Sequence, residues 1–284
     1  MTRSHATLLN GQVTAPIVIL TFGYSGAQSL ESMLAGRTGL VCTSGTGILP
    51  LCAQAAAAWQ QLERSPAGMS AMAASSVRAL ATTMITCTLV AARGSRWCET
   101  ATAPGAAGTF ARLFPQAQFV CFYRACAPVI ADVTQASRWG LGNAGVEDFA
   151  AMYPGNSVAA VAAYWGAHTS AMLDFEAAHP GRVLRVRHED LMASTAATAS
   201  SIVRFLGLDE PRPGLPGFPP DAEDMAMAAD PPGTCTAQQI PVGLIPAPVL
   251  DRINSLHTRL GYPALLQEPE SGPAGLPDRL AGRR

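Results

Sequence analysis

The residues best suited to chemistry stand in "ILTFGYSGAQSL", residues 19–30, where an apolar run passes through Gly23, Tyr24, Ser25 and Gly26 into a segment of helical spacing. A glycine turn between a strand and a helix aims backbone N–H groups and the positive helix end at an anion. Ser25, Gly26, Ala27 and Gln28 would supply such a cradle, with Gly23 at its entry. No cation stands beside them: the chain has no lysine, and its 19 basic residues are all arginine. Any mechanism that needs a lysine amine is therefore excluded.

Other chemistry-bearing groups read as structural. The seven cysteines form no Cys-x-x-Cys pair and have no histidine at metal-ligand spacing, so neither a zinc site nor a redox dithiol is indicated. Most sit in apolar runs, where a thiol packs as a small hydrophobe. His188, Glu189 and Asp190 are adjacent and point in different directions, which does not make a metal triad. His168 falls mid-helix as a packing group, and Arg185 and Arg187, alternating with Val186, are expected to pair with carboxylates.

The elements that must position the turn follow from periodicity. At 284 residues, 49% hydrophobic and 14% charged, the chain is long enough to bury the core of one large α/β domain. A net charge of −1 leaves no electrostatic footprint for nucleic acid or an anionic membrane. The start "MTRSHATLLNGQVT" has no continuous apolar h-region. The uncharged run 79–92 has 14 residues, short of the roughly 20 that span a bilayer, and reads as a buried core helix of a cytoplasmic protein.

Strands are expected at 15–22, 39–42, 95–100, 117–123 and 182–187, and helices at 28–35, 51–63, 70–92, 108–114, from Pro128 to about 138, 157–179, 194–207 and 248–260. Ser194 or Thr195 would cap the helix that ends at Gly207. Strand and helix alternate, which implies one α/β domain, residues 15–264, doubly wound around a parallel sheet with helical additions. Residues 1–14 and 265–284 read as tails, and 209–233 as an extended Pro- and Gly-rich loop.

Three segments in order carry a family resemblance. "FPQAQFVCFYRACAPVIADV" (114–133) resembles the sulfotransferase stretch in which a strand ends at an arginine and a proline-containing turn opens the next helix. "YWGAHTSAMLDFEAAHPGRVLRVRHEDLMASTAATASSIVRFLGL" (164–208) is similar to the family's "W…hp.r.l.vryEdL…FLGl", and residues 244–263 resemble the C-terminal helix of bacterial members. The turn at 17–30 lies where that family has its 5′-phosphosulfate loop.

The resemblance implies a P-loop-like fold and transfer of a sulfuryl group from 3′-phosphoadenosine-5′-phosphosulfate (PAPS) to a hydroxyl of a small-molecule or carrier-bound acceptor, in bacterial secondary metabolism. It implies that Gly23 and Ser25 to Gln28 hold the 5′ side, that Arg124 contacts the 3′-phosphate, and that Glu99 in "RWCETAT" serves as acceptor base. Four positions depart from the pattern. Tyr24 stands for a Lys or Arg, Thr100 for a lysine, Asp132 for the serine that shares the 3′-phosphate, and Thr236 for an arginine. Thr134 or Ser137 could take the serine's place after a register shift, and Arg78, Arg93, Arg96 or Arg138 could compensate the lost charge. An enzyme that has lost PAPS use, with Tyr24 and Glu99 as acid and base in elimination, isomerisation or cyclisation, stays open. So do a non-catalytic partner protein and a homodimer.

Overall fold

The computed structural model describes residues 15–35, 37, 39–63, 69–102, 104–136, 145–208 and 240–266. The loop at 209–233, both tails as far as residue 14 and from 267, Ser137, Arg138, Cys235 and Thr236 lie outside these described residues. Apolar runs form five strands, β1 (Ile17–Leu20), β2 (Leu40–Ser44), β3 (Arg96–Ala101), β4 (Gln118–Tyr123) and β5 (Val183–Arg187), ordered β2-β3-β1-β4-β5. Every pairing is parallel. All four residues of β1 are buried, as a central strand covered on both faces requires.

Each face has its own core. Helices α1 (Ala27–Ala35), α8 (His188–Ala193) and α9 (Thr195–Leu206) cover the face that carries Ile17, Ile19, Cys98 and Phe122. Helices α2 (Ile48–Glu63), α3 (Ala71–Ala91), α4 (Ala107–Leu113), α5 (Cys126–Ala136), α7 (Ser157–Ala178) and α10 (Ala247–Leu260) cover the other, against Val18, Leu20, Trp97 and Phe119. The chain leaves β1 towards the first face and leaves β3 and β4 towards the second. Beside β1 the sheet thus has a switch in connection sense, and ligands of open α/β sheets bind outside the carboxyl ends of strands at such a point.

Local signals explain the helix ends. Ser70 caps α3 by accepting from the Ala73 N–H at 3.2 Å, and Asn156 caps α7 by accepting from the Ala159 N–H at 2.9 Å. Gly207, at φ 61°, closes α9 in the left-handed conformation expected of it. Ser194 makes no side-chain capping bond, because α8 runs almost directly into α9 and the Thr195 hydroxyl turns back to the Leu191 carbonyl. Helix α5 begins at Cys126, two residues ahead of the expected Pro128, which still falls in the first turn. The short α6 (Glu147–Met152) was not expected, and it buries none of its residues.

Two readings from composition change. The run at 79–92 is not buried all round: Ala73, Val77, Ala81, Ile85 and Leu89 face the core, while Met72, Leu80 and Val90 are exposed on the opposite side of α3. Among the described residues this is the one helix long and apolar enough to cross a membrane. Leu265, assigned to the tail, is buried and donates its N–H to Asn254 Oδ1 at 2.8 Å.

Arginines tie the layers together. Arg96 donates to the Ala15 carbonyl at 2.8 Å, the Leu206 carbonyl at 2.6 Å and Gln118 Oε1 at 2.5 Å, while Arg182 bonds the carbonyls of Ala111, Phe114 and Ala117. Arg185 pairs with Glu176 and Arg187 with Asp190, the carboxylate partners expected for both. Replacing Arg96 strands three acceptors at the amino end of the sheet. Arg96→Ala is expected to lower the unfolding free energy by about 2–4 kcal/mol, read as a lower urea midpoint at unchanged slope.

Candidate active site

The turn after β1 is held from three directions. The Thr21 N–H donates to the Ala101 carbonyl and its hydroxyl to the Phe122 carbonyl, both at 3.0 Å, so the exit from β1 is fixed to β3 and β4. The Gly23 N–H donates to the Tyr164 hydroxyl at 2.8 Å, and the Ser25 N–H closes the turn on the Phe22 carbonyl at 3.3 Å. Tyr24 adopts φ 63° with its side chain partly exposed, and its carbonyl accepts from Arg124 Nη1 at 2.8 Å. Left-handed backbone at a non-glycine residue costs of order 1–3 kcal/mol and persists only where neighbours fix it.

Gly26 has two reasons to be glycine. Its φ is 77°, and a Cβ there would lie 2.6 Å from His188 Cδ2 and 2.8 Å from His188 Nε2. Beyond it Ala27 and Gln28 begin α1, whose first N–H groups have no acceptor within the helix and whose first turn holds no acidic residue. The hydroxyl of Ser25, a residue only 2% exposed, makes no hydrogen bond among the described residues. The arrangement offers unpaired donors and a positive dipole end to an anion.

The end of β4 is equally constrained. The Arg124 carbonyl accepts from Trp165 Nε1 at 2.9 Å, and the Ala125 N–H donates to Glu189 Oε1 at 2.9 Å. Glu189 Oε2 accepts from the Tyr262 hydroxyl at 2.9 Å, which links α8 to the residues after α10. The Cys126 N–H donates to His257 Nε2 at 3.4 Å, leaving Nδ1 to carry the proton towards the Pro263 carbonyl at 2.6 Å. The Arg124 guanidinium thus projects from a rigid turn beside the cradle. It meets Asp132 Oδ2 at 2.6 Å, with the two side chains 17% and 36% exposed.

Glu99 has a different setting from an acceptor base. It is 3% exposed and accepts from the Thr43 hydroxyl at 2.5 Å, the Thr46 N–H at 2.9 Å and the Thr46 hydroxyl at 2.8 Å. Those bonds occupy three of a carboxylate's roughly four lone-pair sites. The Thr43 bond ties Glu99 to β2, and the two Thr46 bonds fasten the loop at 45–47 that opens α2. Thr100, its neighbour, lies on the α1 side of the sheet in register with Ile19 and Ser44, and its buried Oγ1 has no hydrogen-bond partner.

A second group at the site was not singled out from sequence. Tyr164 on α7 accepts from the Gly23 N–H, while its own O–H finds no acceptor among the described residues. Burial raises its pKa above the usual phenol value against the opposing pull of that N–H, so the group stays protonated at neutral pH. His168 packs against it at a tilt of 44° with ring centroids 4.2 Å apart, and Phe149 meets it edge-on at 5.7 Å. Burial lowers the His168 pKa, in keeping with a packing role. The only sequence signal was Tyr164's place beside Trp165.

Of the site residues expected from sequence, the structure brings together Gly23, Tyr24, Ser25, Gly26, Ala27, Gln28, Arg124 and Asp132. Thr134 does not substitute for the missing serine, because its hydroxyl bonds the Ile130 and Ala131 carbonyls of its own helix. Arg78 and Arg93 are exposed. Arg93 and Arg96 stand at the amino end of β3, away from the cradle, and Arg96 is taken by its three acceptors.

With this geometry in place, comparison with known proteins is decisive for the family. The sulfotransferase family pattern matches residues 16–212, and the chain belongs to that family of transferases. Two solved structures share the fold. The sulfotransferase domain from the curacin biosynthetic pathway is 16% identical with a TM-score of 0.58, covering 89% of this chain and 99% of that domain. The sulfotransferase domain from the Synechococcus PCC 7002 olefin synthase is 18% identical with a TM-score of 0.60, covering 89% and 96%. Curated protein sequences give no significant match.

The setting of Glu99 generates a test. Glu99→Gln is expected to lower stability by about 1–2 kcal/mol through weakened bonds to the 45–47 loop, and to leave the acid limb of the pH–rate profile in place. Loss of that limb with unchanged stability would instead make Glu99 the base.

Proposed function

We propose that the chain transfers a sulfuryl group to a hydroxyl of a small-molecule or carrier-bound acceptor in bacterial natural product biosynthesis. The observation that carries this reading is the glycine turn at the carboxyl end of β1, with unpaired N–H groups from Gly26 into α1 and no acidic residue in the first turn. The biosynthetic origin of both structural neighbours supports the pathway context. In this reading the cradle binds and orients the donor anion, and the Tyr164 O–H, held by Gly23, reaches an oxygen above the turn.

The family implies PAPS, and the residues present fit it only in part. The turn at Gly23 to Gln28 suits a 5′-phosphosulfate end. The 3′-phosphate position does not fit, because the one arginine expected there is already matched by Asp132 and by the Tyr24 carbonyl. A third phosphate-like charge would have to displace a carboxylate at 2.6 Å from its cation. The same ion pair favours a second reading, in which the fold has given up the nucleotide donor and the phenols of Tyr24 and Tyr164 perform acid/base chemistry on an activated intermediate.

Calorimetry with adenosine 3′,5′-bisphosphate and adenosine 5′-monophosphate separates the two. Under the leading reading both bind the wild-type protein with similar affinity. Asp132→Ser then strengthens the bisphosphate alone by about tenfold or more, the worth of one charge-assisted phosphate contact. If neither nucleotide binds wild type or Asp132→Ser at millimolar concentration, the second reading replaces the first.

A further inference from the structure

We infer that His188 is an anion-contacting residue of the cradle and supplies the positive charge that the turn itself lacks. This rests on reading the turn as an anion site. His188 opens α8 directly after β5, and α8 and α1 cover the same face of the sheet, which brings the imidazole onto Gly26, the last residue of the turn. Its Cδ2 and Nε2 occupy the space where a Gly26 Cβ would stand, at 2.6 and 2.8 Å. Phe122 holds the ring edge-on, with centroids 6.1 Å apart and planes at 77°. Neither ring nitrogen makes a hydrogen bond among the described residues.

A histidine ring pressed against a required glycine, with both nitrogens unpartnered, has no packing duty that needs nitrogen. Phenylalanine or tyrosine would fill that space as well. A second observation points to a ligand at the same turn: Ser25, 2% exposed, has a hydroxyl that makes no hydrogen bond among the described residues. The other candidate cation cannot serve freely, since Arg124 is held by Asp132 and by the Tyr24 carbonyl. His188 is the remaining described group beside the turn that can become positive.

The charge is conditional. The charged and titratable groups that face His188 are Arg124 from the turn after β4, Asp132 from α5 and its own neighbour Glu189. Burial and then Arg124 lower its pKa, against weaker opposing pulls from Glu189 and Asp132, so the free protein holds it neutral at pH 7. A bound dianion favours the imidazolium and raises that pKa. Anion affinity is then flat above the bound-state pKa, rises as pH falls through it, and levels off below the free-state pKa. Each unit of upward shift corresponds to about tenfold in affinity.

Inorganic sulfate is the probe, because its charge is constant across this range. Sulfate affinity of the full chain, measured by calorimetry, is expected to rise about tenfold between about pH 8 and about pH 5.5, the window in which histidines titrate. His188→Gln, checked for native circular dichroism, is expected to show no such rise. NMR of the wild-type imidazoles provides a second reading that needs no variant: sulfate should raise the His188 pKa and leave that of His257, buried behind Cys126, unmoved. An equal pH dependence in His188→Gln, or a His188 pKa indifferent to sulfate, overturns the inference while the cradle stands. No sulfate binding by wild type at any pH overturns the cradle reading as well.

Discussion

Everything at this site depends on how the chain gets from β1 into α1. The backbone must leave a fully buried central strand, reverse through Phe22 to Gly26, and start a helix with its first amides unpaired. Two residues of that passage are left-handed, and one of them, Tyr24, carries a side chain. Such a turn survives only if its neighbours fix it: Thr21 to β3 and β4, Gly23 to Tyr164, the Tyr24 carbonyl to Arg124, and Gly26 beneath His188. The turn is therefore a product of four surrounding elements, and the fixing groups engage Thr21 to Gly26 without taking the Ala27 and Gln28 amides.

Charge distribution follows a single rule. With no lysine, each fixed cation is a planar arginine fork, and Arg96, Arg182, Arg185 and Arg187 are committed to carbonyls or carboxylates that knit strands to helices. Arg124 obeys the same rule through Asp132. On the reading proposed for the turn, an anion there would meet backbone dipoles, hydroxyls and one imidazole. A site of that kind binds a sulfate-like group by many weak, directed donors rather than by a fixed point charge.

The strands were legible because a parallel sheet covered on both faces demands continuous apolar runs, and β1 and β4 supply them as "IVIL" and "QFVCFY". The glycine turn was legible for the same local reason: only a residue without Cβ tolerates the geometry of Gly26. Helix α6 was not, since a six-residue helix with no fully buried residue leaves no periodic trace. The α3 face misled because alanines and threonines on an exposed surface look like core. His188 was read as structural and Tyr164 was not singled out, because their contacts with Gly26 and Gly23 join residues far apart in sequence, and the three bonds that Glu99 accepts from Thr43 and Thr46 are equally long-range. Asp132 was legible as a departure by position, but its pairing with Arg124 was not.

The central claim is that the turn at Gly26 holds an anion. Crystals soaked in selenate, a sulfate analogue with strong anomalous scattering, test it most directly. The account predicts an anomalous peak within hydrogen-bond reach of the Gly26, Ala27 and Gln28 amides, with His188 beside it. A fully soaked crystal with no peak at that turn would contradict it.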